Sequence, residues 1–168
     1  QAFRRMGDEH WIDAKEGHIN SRRPYRCFLP SGRHIDIFFY LADASQAVAF
    51  EGLLEDGRNF ANRLIGEFDP SLEDPQMVHI ATDGESYGHH HRHGEMALSF
   101  CLNEIDMQPE HLTVYGDYLE KYPPAYEVQI IENTAWSCAH GVERWNSDCG
   151  CNTGQHPEWN QAWRRPLR

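Results

Sequence analysis

Three stretches of the chain combine residue types and spacings that can do chemistry. In Ala81-Thr82-Asp83-Gly84-Glu85-Ser86-Tyr87-Gly88 two carboxylates stand two positions apart among glycines. Extended backbone projects Asp83 and Glu85 to one side, and Gly84 and Gly88 permit a tight turn around them. A carboxylate pair in a partly enclosed site suits general acid–base work. The plainer role of an Asp-Gly pair is a turn or a helix cap.

The next stretch, His89-His90-His91-Arg92-His93, concentrates imidazoles. His89, His90 and His91 can hydrogen-bond sugar hydroxyls, orient a carboxylate or bind a metal; the alternative is a solvated loop. The third stretch places Cys138-Ala139-His140 ahead of Cys149-Gly150-Cys151. Three cysteines and a histidine supply the four ligands that a closed tetrahedral zinc site takes. A disulfide between Cys138 and Cys149 or Cys151 is the competing use. Trp136, Trp145, Trp159 and Trp163 crowd the same region, and indole faces stack on sugar rings or fill a core.

Composition limits what these groups serve. The 168 residues, 40% hydrophobic and 24% charged, fit an ordinary globular chain but fall short of the roughly 250 residues of a complete enzyme barrel. A formal charge of -11 repels polyphosphate and argues against nucleic acid, whereas a sugar is neutral. No apolar run approaches the roughly 20 residues of a membrane span. Five cysteines are too few and too uneven for a disulfide scaffold, which points to a reducing cytoplasm. The first residue, Gln1, suggests a processed or truncated chain.

The elements that must position these groups are read from periodicity. Residues 1–34 are polar and carry Pro24 and Pro30, so they read as an irregular lead-in, with 35–168 as one domain. Strands are expected at 35–40, 77–81, 112–115 and 127–131. Helices are expected from the cap candidates Asp43 and Ser45 to Ile65, interrupted at Gly57, and at 95–106 and 116–122. A long loop covers 132–157, and a short amphipathic helix falls in 159–167. Strands alternating with helices predict an α/β fold with a parallel sheet and right-handed crossovers.

Thr82-Asp83-Gly84-Glu85-Ser86-Tyr87-Gly88-His89 resembles the fourth sequence motif of glycoside hydrolase family 57. There an Asp, followed two residues later by Glu, precedes an aromatic and a Gly. Glu132 to Trp145, with Trp136-Ser137 and His140-Gly141, resembles that family's fifth motif region. Ile37 to Phe50 is similar to the strand–loop–helix ahead of the fourth motif. The likeness spans about residues 33–165 and is greatest to a branch carrying the triple His and the Cys-rich loop.

This resemblance implies part of a distorted (β/α)7 barrel and retaining chemistry on α-glucans, with Asp83 as general acid/base and Glu85 and the histidines tuning it. It also implies Trp136 and Trp145 along the glycan cleft. The nucleophilic Glu of the family lies on an earlier strand, so a missing N-terminal half of the barrel, or self-association, completes the site. The two rivals are a catalytically silent carbohydrate-binding or regulatory relative and a metal-dependent hydrolase.

Overall fold

The computed structural model describes residues 2–107, 112–135, 137–152, 154, 156 and 158–163, with Glu16 and Gly17 as backbone. They form two compact units, Gln1–Gln129 and Ile130–Arg168.

The first unit opens with β1 (Ala2–Arg5), β2 (Ile12–Asp13) and the single turn α1 (Ala14–Gly17). Strands β3 (Pro24–Phe28) and β4 (His34–Phe38) follow. Then come α2 (Ala42–Phe50), α3 (Gly57–Ile65), α4 (Gly94–Asp106), α5 (Tyr115–Lys121) and the last strand β5 (Tyr126–Gln129). The sheet has the order β2-β1-β5-β3-β4. Only the β3–β5 pair is parallel; the other three are antiparallel.

The α/β class is as expected, but the sheet is open and mixed, not a closed or uniformly parallel barrel. The physical reason lies in the turn after β3. Gly32 takes φ 78 and donates its N–H to Leu29 O at 3.0 Å, while Leu29 N–H bonds Arg33 O at 2.8 Å. That tight reversal makes β3 and β4 a hairpin, where a parallel pair needs a long crossover.

The lead-in reading of 1–34 is corrected too, since three strands come from it. Pro24 is the first residue of β3, where a missing N–H is tolerated. The polar character of this stretch comes from arginines paired across the sheet. Arg26 grips Asp36 with two bonds of 2.8 and 3.0 Å, and Arg4 Nε meets Glu127 at 2.7 Å. Behind them Phe3, Tyr25, Cys27 and Val128 form one buried cluster.

A second cluster joins Val48, Leu54, Phe60, Ala61, Ala97 and Cys101 from the helices. Helix α3 starts where the Asp56 side chain accepts from Arg58 N and Asn59 N at 2.8 and 3.0 Å. The interruption expected at Gly57 is that start. A Cβ at Gly57 would lie 2.8 Å from both Ala97 O and Phe100 Cβ, so glycine sets how closely α3 approaches α4.

The run 77–81 forms no strand and pairs in no ladder. Its backbone is satisfied piecemeal: Met77 N–H bonds Arg22 O, Leu41 N–H bonds His79 O and Ala81 N–H bonds Ser45 Oγ. Likewise 112–115 forms no strand, and Tyr115 already begins α5.

In the second unit a short helix, α6 (Glu143–Asn146), interrupts the expected loop. The helix expected at 159–167 falls partly outside the described residues.

Candidate metal centre

The second unit builds its site from two short hairpin-like turns. In the first, Gly141 N–H returns to Cys138 O at 3.0 Å, placing His140 beside Cys138. Val142 N–H bonds Asn133 O at 3.3 Å, with both Asn133 (φ 57) and Gly141 (φ 62) in the left-handed region. In the second, Asp148 Oδ1 accepts from Gly150 N at 3.2 Å, and Gly150 at φ 77 reverses the chain between Cys149 and Cys151. Helix α6 spans the interval between the two turns.

Four ligand atoms converge as a result. Cys138 Sγ stands 3.6 Å from His140 Nδ1 and 3.8 Å from each of the Cys149 and Cys151 sulfurs. Cys151 Sγ is 3.3 Å from His140 Nδ1. All four atoms lie within 4.8 Å of one another, close enough to hold one metal ion. Cys138 is buried, Cys149 and Cys151 are half-buried, and His140 is exposed. A disulfide requires about 2.05 Å between sulfurs. All five cysteines are free thiols, with Cys27 and Cys101 buried separately in the two cores of the first unit.

The electrostatics of the cluster favour a thiolate at Cys138 and oppose one at Cys151. The backbone N–H of His140, assisted by its ring, draws the Cys138 thiol down to about 7. Hydrogen bonds from Cys138 and Cys149 push Cys151 up to about 11. A bound cation overrides that difference, because a coordinating thiol is deprotonated outright.

Among the described residues this unit has little buried apolar surface of its own. Cys138 is its one buried hydrophobic side chain among the described residues, and neither buried cluster includes any residue beyond 129. Gly141 is indispensable to the first turn, since a Cβ there would sit 1.9 Å from Asn133 O. Gly141→Ala is therefore expected to weaken metal affinity by about tenfold or more. The left-handed conformation alone costs a non-glycine residue about 1–2 kcal/mol. Competition with a colorimetric chelator measures this, and unchanged affinity would remove the turn from the account.

The other candidate residues occupy the first unit. Asp83 is exposed and leads into a 3₁₀ turn, Gly84–Ser86, as its N-cap residue, yet its side chain makes no cap hydrogen bond. Glu85 is exposed within that turn, and its carbonyl accepts from His89 N and His90 N at 3.2 and 2.9 Å. His89 and His90 are exposed, their rings 5.0 Å apart edge to face. His91 is half-buried and donates from Nε2 to Ala49 O at 3.1 Å, tying the loop to α2. Among the described residues the histidine run forms no metal-ligand group with Asp83 or Glu85. Trp145 lies half-buried on α6, in the other unit, and Trp136 falls outside the described residues.

No protein-family model matches the chain, and no curated protein matches it. No described helix is long and apolar enough to cross a membrane.

Proposed function

We propose that the chain is a zinc protein in which Cys138, His140, Cys149 and Cys151 hold one structural Zn²⁺ that orders residues 130–168. The ligand spacing carries this reading. Zinc at about 2.3 Å from sulfur and about 2.0–2.1 Å from nitrogen gives a tetrahedron with sulfur–sulfur edges of about 3.8 Å and sulfur–nitrogen edges of about 3.5–3.6 Å. The two Cys138 sulfur–sulfur separations of 3.8 Å and its 3.6 Å to His140 Nδ1 match those edges, the 3.3 Å from Cys151 to His140 is slightly shorter, and all four atoms lie within 4.8 Å of one another. Three sulfurs and one nitrogen favour zinc over hard cations such as magnesium or calcium. Four protein ligands leave no open position, so the ion is structural rather than the centre of a metal-dependent hydrolase. A cytoplasmic location accords with this use of free thiols.

X-ray absorption of the purified protein tests the ligand set. The expected shell is three sulfurs at about 2.3 Å and one nitrogen at about 2.0–2.1 Å. A shell of nitrogen and oxygen alone would refute it.

A second reading is favoured by the unused Asp83 carboxylate. It stands at a cap position without capping. In this reading the first unit belongs to a larger carbohydrate-cleaving enzyme similar to glycoside hydrolase family 57, part of a (β/α)7 barrel acting on α-glucans with retention. Asp83 protonates the leaving oxygen, Glu85 and the neighbouring histidines tune it, and the nucleophile comes from the rest of the barrel or a second copy. Product formation from maltooligosaccharides by the longest available form of the protein tests it. Binding without turnover would instead indicate a silent carbohydrate-binding relative.

A further inference from the structure

The first unit contains a cavity of about 620 Å³ between α3, α4, α5 and residues 76–80. That volume lies within the roughly 300–1,000 Å³ of small-molecule sites. Its floor is apolar: Phe60, Met77 and Cys101 are buried along it.

Most polar groups of the lining are committed elsewhere. The Tyr118 hydroxyl donates to Pro75 O at 2.9 Å, and the Gln76 amide is paired with the Asp69 backbone at 2.9 and 2.7 Å. The Tyr87 hydroxyl is shared with Thr82 Oγ1 at 2.9 Å.

The pair His79 and Tyr115 differs. A carbonyl only accepts, so His79 Nε2 donates to Phe39 O at 3.1 Å. Burial lowers the His79 pKa, which favours the neutral ring. Nδ1 is then an acceptor, and the Tyr115 O–H donates to it at 3.1 Å. The Tyr115 oxygen keeps lone pairs to offer and has no proton left to give. The polar end of the cavity is thus an acceptor whose state is fixed by a neighbour. Among the described residues, Lys121 is the one Lys, Arg, Asp or Glu side chain in the lining.

We propose that this cavity binds a small, neutral, apolar molecule carrying a hydroxyl group, which donates its proton to the Tyr115 oxygen. An ammonium would meet Lys121 without a counter-charge. A carboxylate drawn to Lys121 would leave the acceptor unengaged. The site is independent of the zinc reading, since all its residues belong to the first unit.

Displacement of the fluorescent probe N-phenyl-1-naphthylamine from the whole chain tests the proposal. 1-Decanol is expected to displace it about three- to tenfold more effectively than decyl methyl ether, which lacks the donor, the worth of one hydrogen bond. Tyr115→Phe erases that preference between alcohol and ether. Leu102→Trp, at the cavity's exposed edge, removes probe and decanol binding together. Both residues are substantially exposed, at 50% and 41%, so neither change cuts into a buried core.

Decanoate or decylamine competing better than decanol would overturn the proposal. So would an ether as effective as the alcohol in the unsubstituted protein, or probe binding undiminished by Leu102→Trp. Light scattering that finds a dimer dissociated by Leu102→Trp would assign the apolar face to a second copy instead.

Discussion

Cys138→Ser is expected to abolish metal binding and loosen the described part of the second unit. Cys138 is the ligand that approaches the other three, at 3.6, 3.8 and 3.8 Å, and it is the buried one. Serine offers a harder, shorter oxygen that does not reach the same position. Structural zinc sites contribute about 10–16 kcal/mol of binding free energy, which becomes ordering free energy where no core exists. Among the described residues the second unit has no hydrophobic cluster to replace it. Amide hydrogen exchange should show the loss of protection after 129, with the sheet and helices of the first unit unaffected. A chelator in excess should reproduce the effect in the unsubstituted protein. Retained protection after 129 in the variant would mean that something other than a metal holds the unit.

The second large effect concerns Asp83. In a carbohydrate-cleaving enzyme containing this chain, Asp83→Asn is expected to lower glucan turnover by about 10²–10⁴-fold, the usual contribution of a general acid. The melting temperature should stay unchanged, because the side chain is exposed and caps nothing. Measuring turnover and melting together separates the two roles. Full activity, or a large drop in melting temperature, would return Asp83 to a structural role.

How much of this was legible in sequence follows from how local each feature is. The four candidate ligands lie within fourteen positions, in two pairs each one residue apart, so their closeness is largely local. Helices α3 and α4 were legible for a similar reason, because their apolar positions recur at the helical period. The sheet was not. Its β1 and β3 carry arginines whose partners, Glu127 and Asp36, come from other strands, so the stretch reads as a polar lead-in. The error at 77–81 is the converse. A short apolar run reports burial but not whether a neighbouring strand exists to pair with it. His79 sits inside that run as its lone polar side chain, the signal that marks a hydrogen-bonded position in an apolar wall. Its partner Tyr115 lies 36 positions away, and no local pattern joins them.

Metal content is the most direct test of whether one zinc ion organises the second unit. Protein purified without added metal should contain one zinc ion per chain, with Cys138, Cys149 and Cys151 protected from thiol reagents until a chelator is added. Negligible zinc, with those three thiols titrating freely from the start or two of them joined as a disulfide, would contradict the zinc reading.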